Sequence, residues 1–223
     1  MKPIFITGIG TDVGKTVVSA IVTEALQADY WKPIQAGFEQ GTDSEAVQSL
    51  LSNSKTVIHD EAYKLSLPAS PHIAAREENL VISIDKIVDD YNQISETSTN
   101  DYLVIEGAGG LLVPINDRQF ILDVIKALDA YVIIVSRNYL GSINHSLLTA
   151  QVCKHHHLKV LGLIFNGEYM NYQDEVTNWS TYSFIGAVPT FNKVTKQQVR
   201  QSASGIRQAL IDRTNFYNEE TGD

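Results

Sequence analysis

Residues 8–16 read GIGTDVGKT, and they stand between a short apolar run and the helix-compatible stretch VVSAIV. This arrangement is typical of a phosphate-binding loop, in which glycines let backbone N–H groups face phosphate oxygens at the start of a helix. Lys15 would reach the β- and γ-phosphates, and the Thr16 hydroxyl would bind Mg²⁺. Five residues separate Gly8 from Gly14 where the strict pattern has four, so the sequence predicts a variant of this loop.

Short apolar runs rich in β-branched or aromatic residues recur along the chain and predict buried strands. They lie at residues 4–6, 30–34, 102–105, 131–135, 160–165 and 184–188. Residues 84–94 and 199–210 place apolar side chains at helical spacing between or after them. We therefore expect one α/β domain over residues 1–223, a doubly wound, mostly parallel sheet flanked by helices and similar to P-loop NTPases. An acidic tail at about residues 214–223 is expected to fray.

The charge and composition narrow the class of protein. The chain has 17 Lys and Arg against 26 Asp and Glu, a formal net charge of −9, and 43% hydrophobic residues. This acidic balance argues against a nucleic-acid partner, and no apolar run approaches the ~18 residues of a membrane span. A single cysteine, Cys153, suits a reducing compartment and reads as a core residue. We expect a cytoplasmic protein with no nucleic-acid or membrane partner.

Polar groups after the second predicted strand suggest a second cation and a carboxylate. Lys32 precedes a proline and should therefore be extended, which would aim it from the strand end toward a γ-phosphate. The alternative for Lys32 is a solvated surface lysine. Asp43 lies in the loop-to-helix stretch GTDSE of residues 41–45, where it could be a helix N-cap, a metal ligand or both.

Two further strand ends carry candidate groups. Residues 103–110 read LVIEGAGG, an apolar strand that is expected to end in a carboxylate and a glycine loop. Glu106 has the place of a Walker-B acid, which binds Mg²⁺ directly or through water, although a glycine turn after a strand is the alternative. Asn166 ends the run LIFNG and would suit the edge of a base, or it is a turn asparagine.

The histidine run at residues 155–157 resembles a metal-binding sequence. Adjacent residues on a helix point in different directions, and cationic side chains are favoured near a helix C-terminus. We therefore interpret the run as structural rather than metal-binding.

Taken in order over residues 3–191, these features resemble the dethiobiotin synthetase family. The resemblance rests on the variant loop, Lys32-Pro33, Asp43, SPHIAA at residues 70–75, EGAGG at residues 106–110 and GSINH at residues 141–145. It implies a homodimeric P-loop α/β enzyme of biotin biosynthesis. Such an enzyme joins 7,8-diaminononanoate and CO₂ with ATP and Mg²⁺ to give dethiobiotin, ADP and phosphate.

Carried over residue by residue, the resemblance assigns roles to positions in this chain. The metal ligands would be Thr16, Asp43 and Glu106, and the catalytic groups would be Lys32, Lys15 and Thr11. The nucleotide would be held by Asp12, Val13, Gly14, Lys15, Thr16, Val17, Asp43, Glu106, Gly107, Ala108, Gly109, Asn166, Gly167, Pro189, Thr190 and Phe191, with the adenine near Asn166 and residues 189–191. The substrates would be held by Thr11, Asp12, Lys32 and Gly110, and by Gly141, Ser142 and Asn144 across the dimer interface.

Two positions qualify this assignment. Members of the family often carry a hydroxyl in the pattern Lys-Pro-x-x-Ser/Thr-Gly, whereas this chain has Ala36, so that contact is lost or is replaced by Gln35. Asp12 is an acid where most phosphate loops avoid one, and it would attract the diamine or serve as a helix N-terminal acid.

The alternative function is a nucleotide-driven switch ATPase of the partitioning or septum-site type. The loop of those proteins, Lys-Gly-Gly-x-Gly-Lys-Thr, has a signature lysine where this chain has Gly10. A third class, the cobyrinate-type amidoligases, usually has an added glutaminase domain, for which 223 residues leave no room.

Overall fold

In a computed structural model, the backbone is described for residues 1–221 and the side chains for residues 1–215. The strands are β1 (Lys2–Gly8), β2 (Asp29–Trp31), β3 (Ile34–Ala36), β4 (Ile58–His59), β5 (Tyr63–Leu65), β6 (Tyr102–Gly110), β7 (Tyr131–Arg137), β8 (Lys159–Asn166) and β9 (Phe184–Val188). The helices are α1 (Lys15–Leu26), α2 (Asp43–Leu50), α3 (Pro71–Glu77), α4 (Ile84–Thr97), α5 (Ile121–Ala127), α6 (Ser142–His155), α7 (Gln173–Ser180) and α8 (Lys196–Thr221).

Seven strands form one parallel sheet in the order β4-β2-β6-β1-β7-β8-β9. Successive side chains of β1 alternate between two cores, because a strand points its residues to opposite faces. Ile4 and Ile6 pack with α1, α2 and α8, whereas Phe5 packs with α4, α5, α6 and α7. Helices thus cover both faces, which confirms the doubly wound α/β fold and explains the continuous apolar runs.

The second predicted strand, residues 30–34, is divided in the structure. β2 ends at Trp31, and β3 leaves the main sheet to pair with β5 in a separate two-stranded sheet. Pro33 lies at the division because it has no N–H to continue the ladder. Lys32 therefore follows β2 directly and does not extend it. The short strands β4 and β5 have no clear apolar pattern and were not predicted.

The expectation that an apolar strand ends before a glycine loop at residues 107–110 is also wrong. β6 continues to Gly110, so Glu106 lies inside the strand, and the pairing with β1 shifts register in the glycine stretch, where Gly109 has a φ of 74°. Gly107 permits this continuation, because a Cβ there would lie 2.6 Å from Cε1 of Phe5 in the adjacent strand β1. Gly107 thus serves close packing between two central strands, whereas Gly109 supplies the left-handed backbone angle at the irregularity.

The two predicted amphipathic segments form α4 and α8. The sequence predicts a frayed end from about residue 214. The backbone of α8 is instead helical to Thr221, and Thr214 is buried. Residues 222 and 223 of that predicted tail lie outside the described residues. None of the described helices combines the length and apolar character that crossing a membrane requires.

Candidate active site

The loop between β1 and α1 leaves the start of the helix open. Gly14 precedes α1 with a φ of 92°, and no side chain caps the helix. A Cβ at Gly14 would collide with Nδ2 of Asn166, so the position needs glycine for both its backbone angle and its space. The first N–H groups of α1 therefore bond to no side chain in the described part of the protein, which suits them to bind phosphate oxygens.

Lys15 folds back over this loop. Its Nζ donates to the carbonyl oxygen of Gly10 at 3.0 Å, and the side chain is largely buried. Burial lowers the pKa of Lys15, although the nearby charge of Glu106 acts in the opposite direction. The ammonium is thus held beside the loop, where the phosphates of a nucleotide would be.

Three oxygen atoms converge next to Lys15. Thr16 Oγ1 lies 2.6 Å from Asp43 Oδ1 and 2.9 Å from Glu106 Oε1. One hydroxyl hydrogen cannot serve both carboxylates at once, so the group has more lone pairs than protons. Hard, partly anionic oxygen ligands of this kind are those that Mg²⁺ prefers. The three side chains therefore fit a magnesium ion.

Lys32 supplies the positive charge at this cluster. Its Nζ donates to Glu106 Oε1 at 3.1 Å and also bonds to Asp43, and only 6% of the residue is exposed. Burial works to lower the pKa of Lys32, but the charges of Glu106 and Asp43 outweigh it and raise the pKa above its ordinary value. Burial likewise works to raise the pKa of Asp43, and Lys32 reverses the effect. The surface alternative for Lys32 is wrong.

Adjacent elements bring these groups together. β2 and β6 are neighbours in the sheet, and Trp31 pairs with Ile105, so Lys32 and Glu106, the residues that follow them, meet where β2 ends. Asp43 is the first residue of α2 and not its N-cap: Thr42 caps the helix and forms a capping box with Glu45. This corrects one of the alternatives for Asp43 and frees its carboxylate for the cluster.

Tyr30 is a buried contributor to the site that the sequence did not indicate. Its hydroxyl donates to Glu106 Oε2 at 3.0 Å. Burial and the charge of Glu106 raise the pKa of Tyr30 well above its ordinary value, which keeps the phenol a donor. The pairing of Tyr30 with Val104 across two strands could not be found in a local pattern.

Gln35 is engaged within the fold. Its Oε1 accepts from the backbone N–H of Asp43 at 3.2 Å, and its Nε2 donates to the Gly37 carbonyl at 2.7 Å. Gln35 therefore ties the β3 segment to the start of α2. This contact was not predicted.

Arg137 supports the phosphate loop through a contact that was also not predicted. Its Nη1 donates to the Asp12 carbonyl at 2.9 Å, and Asp12 has a φ of 57°.

These groups face a cavity of about 830 Å³ beside the loop. Many of the predicted site residues line it: Thr11, Asp12, Gly14, Lys15, Thr16, Val17, Lys32, Asp43, Glu106, Ala108 and Gly109. Ser70, Pro71 and Val113 also line it. The cavity thus joins the phosphate loop, the oxygen cluster and both lysines.

The other predicted site residues do not line this cavity: Val13, Gly107, Gly110, Gly141, Ser142, Asn144, Asn166, Gly167, Pro189, Thr190 and Phe191. Asn166 lies beside the loop, where its Nδ2 donates to the Val13 carbonyl at 2.8 Å. The turn after Asn166 adjoins Thr190, whose Oγ1 would lie 3.7 Å from a Cβ on Gly167. The ends of β8 and β9 therefore meet near the loop.

The start of α6 lies apart from the cavity. Gly141 and Asn144 are exposed, but Ser142 is buried, with its N–H donating to the Tyr139 carbonyl and its hydroxyl 2.6 Å from the Tyr172 hydroxyl. The side chain of Ser142 is thus occupied within its own chain. A ligand at this helix start would meet Gly141 and Asn144 instead.

The histidine run lies at the end of α6, with the rings of His155 and His156 edge to face. Among the described residues, no group of three or more His, Cys, Asp and Glu side chains is arranged to hold a metal. Cys153 is buried, and burial raises the pKa of its thiol to about 12.

The chain is similar to known proteins over most of its length. A family model described as an AAA domain matches residues 2–198. The ATP-dependent dethiobiotin synthetase BioD of Cytophaga hutchinsonii is 49% identical over 89% of this chain and 94% of the relative. The protein of the same name from Christiangramia forsetii is 42% identical over 95% and 99%.

Among solved structures, the septum site-determining protein MinD from Pyrococcus horikoshii, complexed with Mg-ADP, is similar with a TM-score of 0.61. It is 14% identical, and the match covers 99% of this chain and 97% of that one. At this identity the likeness shows a shared P-loop fold alone.

Proposed function

The chain belongs to the dethiobiotin synthetase family and is an ATP-dependent ligase, and we propose how its site carries out the reaction. The substrates are 7,8-diaminononanoate, CO₂ and ATP, and the products are dethiobiotin, ADP and phosphate. The observation that carries this proposal is the single cavity that brings Lys15, Lys32 and the Thr16–Asp43–Glu106 oxygens beside the phosphate loop.

The reaction has an electrostatic difficulty that the site is suited to relieve. A substrate amine captures CO₂ as a carbamate with loss of a proton, and a carbamate oxygen attacks the γ-phosphate and displaces ADP to give a carbamoyl phosphate. The second amine then attacks the carbamoyl carbon, closes the ring and expels phosphate. Two unit negative charges ~4 Å apart repel by about 4 kcal/mol at an effective dielectric constant of 20, which corresponds to nearly 10³ in rate. The Lys15 and Lys32 ammonium groups flank the place where these anions meet and offset that repulsion.

Thr16, Asp43 and Glu106 would hold Mg²⁺, which when bound supplies positive charge to the phosphate oxygens. Lys32 is hydrogen-bonded to the same carboxylates. Once a metal ion binds these carboxylates, the Lys32 ammonium can donate to the carbamate instead. No side chain acts as a nucleophile in this scheme. The exposed Thr11 and Asp12 stand at the edge of the cavity, where the Asp12 carboxylate would attract the substrate amines.

The adenine would lie where the ends of β8 and β9 meet. Asn166 Nδ2 donates to the Val13 carbonyl, while Asn166 Oδ1 accepts no hydrogen bond from the described residues. That oxygen can accept from an amino group on a base. Gly167 and residues 189–191 would form the remaining walls. We also propose that the enzyme acts in the cytoplasm, where ATP is available and Cys153 stays reduced.

The overall reaction is tested with purified protein, ATP and Mg²⁺. We expect ADP release and dethiobiotin formation only when diaminononanoate and bicarbonate are both present. ATP hydrolysis that needs neither substrate would contradict the proposal and favour the switch ATPase class.

Replacing Glu106 with glutamine is expected to raise the Mg²⁺ concentration needed for half-maximal nucleotide binding by about 10-fold or more. The change removes one of two anionic oxygen ligands and keeps the shape of the side chain. Calorimetric titration with ADP at increasing Mg²⁺ measures it. Glu24→Gln is the control, because Glu24 lies toward the other end of α1 and bonds to Ser52 and Asn53. A Glu106→Gln titration that matches the parent would refute the metal assignment.

We propose that the functional unit is a homodimer in which Gly141 and Asn144 reach the neighbour's substrate carboxylate. Both are exposed at the start of α6 and do not line their own cavity. Leu140, 87% exposed, and Leu148 present apolar surface on the same segment, as interfaces do.

Leu140→Asp is therefore expected to convert a dimer to a monomer in analytical ultracentrifugation and to raise the KM for diaminononanoate. Val57→Asp, at an exposed apolar side chain before β4, should leave the dimer intact. A fully active parent that sediments as a monomer at assay concentrations would contradict the dimer.

A further inference from the structure

Tyr30 and Glu106 form a contact that lies beneath the site rather than in it. Tyr30 is fully buried and Glu106 is 1% exposed. The phenol hydroxyl donates to Glu106 Oε2, while Oε1 of the same carboxylate faces Thr16 and Lys32. The two oxygens of Glu106 thus have different partners: one is held from within the protein and one is presented to the cluster.

The register of the sheet produces this division. Tyr30 in β2 pairs with Val104 in β6, so Glu106 lies two residues further along β6 on the same face. Two residues of a strand span about 6.6 Å, a distance that the long tyrosine side chain can cover. The phenol therefore lies along β6 and reaches the carboxylate from the interior of the protein.

We propose that Tyr30 is a positioning residue for the magnesium site, because its hydroxyl fixes Glu106 so that Oε1 alone is offered to the metal. The proposal rests on the metal site described above. The terminal torsion of a glutamate is broad and would otherwise let the carboxylate turn. A fixed Oε2 removes this freedom, and it keeps Oε1 within 2.9 Å of Thr16 Oγ1.

Tyr30→Phe tests this role, because it removes the hydroxyl and keeps the buried ring. We expect the Mg²⁺ concentration for half-maximal ADP binding to rise about 10-fold, as is typical when a partner of a metal ligand is lost. ADP binding in EDTA should stay within about 2-fold of the parent. Tyr102→Phe is the matched control: it removes a phenol hydroxyl at the other end of β6, 3.4 Å from Thr214 Oγ1, and should change neither titration.

A double variant shows whether Tyr30 acts through Glu106. Adding Tyr30→Phe to Glu106→Gln should raise the Mg²⁺ concentration for half-maximal ADP binding no further than Glu106→Gln alone does. If the two substitutions acted independently, their effects on this concentration would multiply. Multiplying effects would overturn the proposal, as would equal losses of ADP binding with and without Mg²⁺, which indicate a purely structural role.

The remaining outcomes separate this proposal from the metal site on which it rests. An unchanged Mg²⁺ titration in Tyr30→Phe, with a weakened one in Glu106→Gln, would overturn the role of Tyr30 alone. An unchanged titration in Glu106→Gln would overturn the metal site and the role of Tyr30 together.

Discussion

Replacing Lys32 with glutamine is expected to lower kcat by a factor of about 10²–10³, and kcat/KM for ATP by a similar factor. The affinity for MgATP should stay near that of the parent. The factor corresponds to about 3–4 kcal/mol for one preorganised cation. The proposed partners of Lys32, the carbamate and the transferring phosphoryl oxygens, come together only on the way to the transition state. Interactions of that kind raise the rate without tightening the ground state.

Lys15 provides the contrast that makes this prediction specific. It lies on the phosphate loop beside the Gly10 carbonyl, so Lys15→Gln should damage ATP binding and turnover together. Lys86→Gln, at a surface lysine that pairs with Asp90 and lies over the Tyr63 ring, is the control and should leave both unchanged. Equilibrium ATP binding and steady-state dethiobiotin formation, both at saturating Mg²⁺, distinguish the variants. Normal turnover in Lys32→Gln, or a loss of ATP binding as large as in Lys15→Gln, would contradict the role.

The sequence is informative where local pattern and chain position agree. The phosphate loop follows a buried strand and opens a helix, and Lys32 and Glu106 belong to neighbouring strands of a parallel sheet. Because the carboxyl ends of such strands meet at one edge, side chains far apart in the chain could be expected in one site. The structure brings Lys15, Lys32 and Glu106 into one cavity.

The parts that could not be predicted depend on contacts between distant segments. The end of β6 after Glu106 reads locally as a turn, and its place in the strand depends on the close approach of Gly107 to Phe5 and on the pairing of Gly110 with Gly8. The bond from Tyr30 to Glu106 depends on the register of two strands. The engagement of Gln35 depends on where α2 begins. None of these has a signal at fixed spacing along the chain.

The edge of the sheet opposite the cavity contains a second buried carboxylate, Asp29. It is 0% exposed. Its oxygens accept from the Val57 N–H, His59 Nε2, Ser98 Oγ and Asn100 Nδ2 at 2.6–3.1 Å. Asp29 thus ties β2 and β4 to the turn before β6.

Asp29→Asn is expected to lower the free energy of unfolding at pH 7 by about 3 kcal/mol, because an amide nitrogen would face donors in a buried network. In a domain of this size that corresponds to a fall in Tm of about 6–12 °C. Urea denaturation measures the loss. Asp129→Asn is the control: Asp129 forms an exposed pair with Lys159, and its replacement should cost less than about 1 kcal/mol.

The same variant should change how stability depends on pH. Burial works to raise the pKa of Asp29, but the hydrogen bonds from Ser98, Val57, Asn100 and His59 outweigh it and lower the pKa below its ordinary value. A carboxyl whose folded pKa is depressed contributes stability above its unfolded pKa of about 3.9, and loses it as the pH falls through the folded value. The difference between parent and Asp29→Asn should therefore shrink as the pH falls below about 4. A difference that grows below this pH would show that the neutral form of Asp29 is the one this network stabilises.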